Sequence, residues 1–194
     1  MLDEMAQSDT PDYSWVRDYS RSKVAMAACI TVATGVSSED ALFAFGGDPE
    51  DEAFPWSSEE VGQSIDSMVA ILSVNEGVVA VEYIGWHGSL LGVLLPLSRA
   101  GRAASVYWNV DSETKISIAE AGRFLCAFDP INLDRRWGEH PRVVDPLIED
   151  LDFAAGAMTE QAMVVLERFT GVRVTPDMVA GLDQWYPIAP VLED

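Results

Sequence analysis

The chain has 194 residues, of which 48% are hydrophobic, and its 32 acidic residues against 12 basic ones give a formal net charge of −20. An apolar share of this size can bury enough surface to fold, so it excludes a wholly disordered chain, and a length of 194 residues favours a single domain. The charge argues against a nucleic-acid partner, because affinity for DNA or RNA depends on clustered basic side chains that neutralise phosphates.

The predicted elements of the first hundred residues follow an acidic leader, residues 1–12, and belong to one domain predicted over residues 13–194. In chain order they are a strand from about residue 28, a short helix capped by Ser37 with Asp40 three residues on, an exposed loop over residues 46–60, a hairpin of residues 68–74 and 78–84, and a buried helix within residues 89–99.

The second half of the chain predicts a sheet followed by helices. Its elements are a meander of three strands near residues 102–111, 115–119 and 123–129, a short helix after Asp145-Pro146, an amphipathic helix over residues 159–169, a helical turn after Thr175, and an extended tail broken by prolines. Together the two halves predict an α+β fold, in which an antiparallel sheet of about five strands carries helices on one face.

The N-terminal sequence and the two cysteines indicate a compartment. The chain starts MLDEM, with acids where a secretory signal carries Lys or Arg, and no apolar run reaches the roughly 18 residues of a membrane span. Cys29 and Cys126 lie in apolar stretches and have no companions at metal-ligand spacing, which predicts buried free thiols. We therefore expect a cytoplasmic protein with no membrane partner.

The acidic residues are unevenly distributed along the chain. From Val24 to Ser98 there is no Lys or Arg, whereas eleven Asp and Glu residues fall in this interval. Glu50, Asp51 and Glu52 form the densest run, in the predicted loop. Acids without internal cations create a field that attracts a basic protein, so these residues are candidate binding residues. The run lacks the alternating acids of a calcium-binding loop, and neither a metal nor a cofactor is expected.

The stretch IGWHGS, residues 84–89, holds one of only two histidines and allows two interpretations. In the first, His87 is a general base beside Ser89, and Glu82 or Asp129 orients its ring. The order of residues does not match the G-x-S-x-G nucleophile turn. In the second, which we favour, the glycines form a tight turn, Ser89 caps the next helix, Trp86 packs inward and His87 lies at the surface.

Aromatic residues next to turns and strand ends supply a second set of candidate binding residues. In the strand predicted over residues 102–111, Ala104, Val106 and Trp108 alternate with Tyr107 and Asn109. An indole at such a place usually covers the edge of a core. The alternative is a partner-binding patch formed by four residues, Trp86, Tyr107, Trp108 and Asn109.

Four short motifs resemble the signature of a family. GWHGS (85–89), GRAASVYWNV (101–110), FDP (128–130) and RWG (136–138) are similar to the pattern of an actinobacterial family of small acidic proteins, known as a domain of unknown function. The likeness runs from about Tyr13 to Gly181, and the sparing use of Lys suits a GC-rich actinobacterial genome. The resemblance implies no reaction, and it implies that glutamine often stands at position 87, which weakens His87 as an obligatory base.

These patterns favour a cytoplasmic binding module whose negative surface docks a basic protein, as immunity proteins and nuclease inhibitors do. One alternative is a small, hydrolase-like enzyme that needs no metal and uses Glu82, His87, Ser89 or Asp129. Another is a scaffold that associates with itself through the strand of Trp108.

Overall fold

An antiparallel sheet of nine strands runs through the computed structural model, which describes residues 11–18, 22, 24–75, 77–153 and 157–189. The predicted leader falls mostly outside these residues. The strands are β1 (Ala28–Thr34), β2 (Phe54–Pro55), β3 (Met68–Val74), β4 (Gly77–Tyr83), β5 (Arg102–Trp108), β6 (Thr114–Glu120), β7 (Arg123–Phe128), β8 (Arg136–Trp137) and β9 (Gln184–Pro187). Their order across the sheet is β2-β9-β3-β4-β1-β5-β6-β7-β8, and all neighbours are antiparallel.

Six α-helices accompany the sheet within the described residues. They are α1 (Ser38–Ala44), α2 (Glu59–Gln63), α3 (Leu91–Leu97), α4 (Asp145–Ile148), α5 (Met158–Thr170) and α6 (Pro176–Ala180). The hydroxyl of Ser37 accepts a hydrogen bond from the backbone N–H of Asp40, as predicted for the cap of α1. Gly171 ends α5 in the left-handed conformation, and Thr175 caps α6.

The prediction of a sheet of about five strands is wrong, because the sheet has nine. The strands with strong patterns were predicted, including the hairpin of β3 and β4 and the meander of β5, β6 and β7. The others carry little signal. Each of β2 and β8 has only two residues, too few to show alternation, and β9 lies in the proline-containing tail.

The helices lie on both faces of the sheet, so the prediction that they pack on one face is also wrong. Helix α5 packs on β5, β6 and β1, whereas α1 and α3 pack together on the opposite face. Along β1, Ile30 and Val32 point into the core beneath α5, and Ala33 points into the core beneath α1 and α3. Because both faces of the central strands are covered, nearly all of β1 is buried and, apart from its two threonines, its residues are apolar on both faces.

Candidate functional site

A buried carboxylate organises the loop that follows β4. Glu82 points from β4 to the face covered by α1 and α3, and none of its surface is exposed. Its two oxygens accept hydrogen bonds of 2.8 Å from the backbone N–H groups of His87 and Gly88. One of them also lies 2.8 Å from Nδ1 of the His87 ring. Glu82 thus fixes both the backbone and the ring of the 3-10 turn His87–Ser89.

Two glycines let this turn lie against the sheet. A Cβ atom added to Gly88 would stand 2.0 Å from Oγ1 of Thr31, and one added to Gly85 would stand 2.6 Å from a carboxylate oxygen of Glu82. Ile84, where the chain leaves β4, has a φ of 64°. That conformation is strained for a β-branched residue. The close approach of the turn to Glu82 therefore costs backbone strain and requires glycine at two positions.

Trp86 is exposed and His87 is buried, which is the reverse of the prediction. His87 is 6% exposed and Trp86 is 47% exposed, so the prediction of a packed indole and a surface imidazole is wrong. The two rings stack with their planes 7° apart and their centroids 5.6 Å apart. The physical reason for the exchange is Glu82, since a buried carboxylate draws the nearby imidazole inward as a hydrogen-bond partner. Ser89 caps nothing, because Leu90 is the N-cap of α3 and makes no side-chain cap.

The residues of the enzyme hypothesis do not meet in one place. Glu82 and His87 form a dyad in which the carboxylate could orient the ring for proton transfer. Ser89 is buried next to them in the chain, but no hydrogen bond joins its hydroxyl to the His87 ring in the described structure. Asp129 follows β7, four strands away from β4 or about 19 Å across the sheet, and it caps the next turn instead.

In the part of the chain that the structure describes, no group of three or more His, Cys, Asp or Glu side chains is placed to hold a metal ion. No helix in the same residues has the length and hydrophobicity needed to cross a membrane.

Both cysteines are buried free thiols, as predicted. Burial, with the negative charge of Glu82 as a smaller cause, raises the pKa of Cys29 well above its usual value. Burial also raises the pKa of Cys126 to about 11, although the positive charge of Arg136 opposes that shift. Neither thiol is therefore a candidate nucleophile at neutral pH.

Six exposed acids lie on α1 and in the loop that follows it, and we call them the acidic surface: Glu39, Asp40, Asp48, Glu50, Asp51 and Glu52. Among the described residues, none of them pairs with Arg, Lys or His. Among the described residues, ion pairs to arginine occur later in the chain, at Glu120, Asp145, Asp150 and Glu167. The acidic surface therefore keeps its charge uncompensated by basic side chains of the described structure.

A groove opens between α1 and α3, beside the acidic surface. Its volume is about 580 Å³, and Phe43, Pro96 and Leu97 line it together with Asp40 and Arg99. The ring of Phe43 is 55% exposed although it lies on a helix that packs against the sheet. An exposed aromatic side chain in a concave surface is typical of a binding site. We call this feature the α1–α3 groove.

The other predicted binding residues lie in different environments. Trp108 is fully buried, and its Nε1 donates a hydrogen bond of 3.0 Å to the carbonyl of Val24, so it offers no surface to a partner. Its strand, β5, pairs with β1 and β6 on its two sides and has no free edge for self-association. Tyr107 is half-buried, and Asn109 closes the turn after β5 through Glu113.

Phe43 and the α1–α3 groove were not predicted from the sequence. The signal was present in the stretch SSEDALFAF, where Ala41 and Leu42 face the core and Phe43 falls on the opposite side of a capped helix. A large apolar residue on the outer side of a short amphipathic helix is the pattern that could have identified it.

Comparison with known proteins gives a family but no function. A family of unknown function, DUF6461, has a sequence model that matches residues 6–191 of the chain. No curated protein and no solved structure matches it.

Proposed function

The chain belongs to the DUF6461 family, whose function is unknown, and we propose that it is a binding module that docks a basic protein on the acidic surface and the α1–α3 groove. The observation that carries the proposal is the contrast within the described structure between six exposed acids without a basic partner and four later acids paired with arginine. Acids that no basic side chain of the described structure pairs with are complementary to a partner that brings cations.

The groove supplies the apolar part of such an interface. Charged residues steer encounter and select partners, whereas aromatic residues in a concave surface contribute more of the affinity. Phe43 lies on the same helix as Glu39 and Asp40, so one basic segment with an apolar side chain can contact all three. A second copy of this chain does not fit, because two molecules with a net charge of −20 repel each other.

The compartment and biological role belong to the proposal as well. We place the module in the cytoplasm, because two unpaired thiols suit a reducing environment. Its role is that of an immunity protein or inhibitor that neutralises a basic partner in an actinobacterial cell. Nucleic acids are not partners in this proposal, since they would meet the acidic surface with the same sign of charge.

The test is capture of a partner from a lysate of the organism that encodes the chain, with wild type, Phe43→Ser and Ile131→Ser as baits. Ile131 is the matched control, because its side chain is 67% exposed and lies after β7, away from the groove. We expect a basic protein that binds wild type and Ile131→Ser, is lost with Phe43→Ser, and is released at about 0.5 M salt. Equal capture by all three baits, binding that resists salt, or no capture by wild type would contradict the proposal.

A further inference from the structure

Three aromatic rings in the later part of the chain each have a basic side chain of the same chain over them. Lys115 lies over the ring of Trp137 at 5.8 Å, and two further pairs in the same part are Arg102 over Phe169 at 5.4 Å and Arg136 over Phe128 at 5.8 Å. Trp86 is exposed to nearly the same extent as Trp137, 47% against 49%. No cation of the described residues lies over its ring. Trp86, like the acids of the acidic surface, therefore has no basic partner among the described residues, whereas comparable groups in the later part of the chain have one.

The indole of Trp86 is held in a fixed position. One of its faces stacks on the His87 ring. Glu82 fixes that ring through Nδ1 and also accepts hydrogen bonds from the backbone N–H groups of His87 and Gly88. This arrangement leaves the exposed part of the indole available to a ligand. An aromatic side chain fixed before binding loses little conformational entropy when a partner arrives, which is a property of residues that dominate interfaces.

The backbone strain at Ile84 is an independent observation at the same loop. A φ of 64° is unfavourable for a β-branched residue, and strain of this kind persists where the surrounding structure enforces it, often at binding sites. The strained residue begins the turn that sends Trp86 outward and His87 inward. The strain therefore accompanies the display of an exposed indole.

We propose that Trp86 binds the guanidinium group of an arginine side chain of the partner, and that Glu82 and His87 are positioning residues for the indole. Arginine is chosen over lysine because a planar guanidinium stacks on an aromatic face as well as being attracted by it. The absence of Lys and Arg between Val24 and Ser98 leaves no neighbouring base in sequence to occupy the ring first. This inference rests on the proposed function, since it assumes a basic protein partner.

The test uses defined probes in place of the partner: one peptide rich in arginine and leucine, the same peptide with lysine for arginine, and the same peptide with citrulline, the neutral isostere of arginine. Their affinities are measured by calorimetry for wild type, Trp86→Leu, Trp137→Leu and Phe43→Ser. We expect Trp86→Leu to weaken the arginine peptide about 5- to 10-fold and the lysine peptide less, with weak citrulline binding throughout. Trp137→Leu is the matched control and should bind like wild type. Equal affinity of Trp86→Leu and wild type for the arginine peptide would overturn the proposal.

The positioning role is tested by a double-mutant cycle. Glu82→Gln keeps the shape of the side chain, but its amide NH2 group would stand opposite one of the two backbone N–H groups, so two donors would face each other. We therefore expect the turn to loosen and Trp86 to lose its fixed position. Its arginine-peptide affinity should fall toward that of Trp86→Leu, and the double variant should be no weaker than Trp86→Leu alone. Losses of affinity that simply add would show that Glu82 affects peptide binding by a route other than the indole, and would contradict its positioning role.

The variants also separate failure of this inference from failure of the proposed function. If Phe43→Ser weakens the arginine peptide and Trp86→Leu does not, the inference fails and the proposed function stands. If Trp86→Leu weakens it and Phe43→Ser does not, the indole site stands and the α1–α3 groove is not the docking surface. If neither variant differs from wild type, both proposals are wrong.

Discussion

The acidic residues of the earlier part of the chain, residues 24–98, and those of the later part, residues 99–173, differ in their partners. Between Val24 and Ser98 there are acids and no Lys or Arg, whereas nine bases lie between Arg99 and Arg173. The described ion pairs to arginine and the described cation–π contacts all fall in the later part. In the earlier part, the described acid with an ionisable partner is Glu82, which is buried against His87. Net charge alone is therefore a poor guide to where a basic partner would bind, because the later part pairs acids with arginine and the earlier part leaves the acidic surface exposed.

The largest expected effect comes from removing the buried carboxylate. Glu82→Ala leaves two backbone N–H groups and the His87 ring without their acceptor in a buried site, so we expect a loss of about 3 to 5 kcal/mol in the free energy of unfolding. Urea denaturation measures it. The matched variant from the later part is Glu120→Ala, whose ion pair with Arg102 is exposed and should contribute less than about 1 kcal/mol. Similar losses for the two variants would contradict the claim that the buried carboxylate of Glu82 contributes more to stability than the exposed ion pair of Glu120.

The second prediction concerns the close approach of the turn to β1. Gly88→Ala places a methyl group against Oγ1 of Thr31, so we expect a loss of about 1 to 3 kcal/mol in unfolding free energy. Adding Thr31→Ala should recover part of it. Gly62→Ala in α2 is the control, because a Cβ there meets nothing within 4 Å and alanine favours a helix. A tolerated Gly88→Ala would mean that the turn does not press on the sheet.

The third prediction compares the two thiols. The pKa of Cys126 is raised from 9.0 to about 11 by burial, so the folded chain retains a proton that the unfolded chain releases. Stability contributed by this group is complete below pH 9 and falls as the pH rises from 9 to about 11. Cys29 has the added negative charge of Glu82, so Cys126 should react first with a thiol reagent. Labelling of Cys29→Ser and Cys126→Ser against pH measures both rates, and faster labelling of Cys29 would contradict the assignment.

The smallest expected effect is a charge reversal on the acidic surface. Replacing Glu50 and Glu52 by Lys should raise the free energy of unfolding by a few tenths of a kcal/mol at low ionic strength, because like charges are removed. Asp150→Asn should lower stability instead, since Arg168 loses its negatively charged partner and keeps only the carbonyl of Leu147 among its described partners. Thermal unfolding at low and high salt checks both signs. A loss of stability in the lysine variant would show that these acids already have partners.

Much of the secondary structure could be predicted, because it depends on local patterns. The cap at Ser37, the left-handed end of α5 at Gly171 and the alternating strand β5 each follow from a few neighbouring residues. The edges of the sheet could not be predicted. The pairing of β9 with β3 joins Val69 to Tyr186, more than a hundred positions apart, and no local pattern encodes it.

The loop of residues 84–89 shows why the site was harder to predict than the strands. Two glycines near a histidine predict a turn, and a turn is present, but the direction of each side chain depends on Glu82 in the preceding strand. In the sequence, Glu82 is one polar residue in an apolar run and could have faced solvent. The acids of residues 39–52 were easier to identify, because exposure of charged loop residues requires no knowledge of tertiary contacts.

The central claim is that a partner supplies the cations that residues 24–98 lack. The most direct measurement is an NMR titration of the isotope-labelled chain with the arginine- and leucine-rich peptide, following backbone amide and indole resonances. We predict shifts at Phe43, the acidic surface and the indole N–H of Trp86, and little change at Trp137 or at the acids paired with arginine. Shifts confined to the later part of the chain, or none at all, would contradict it.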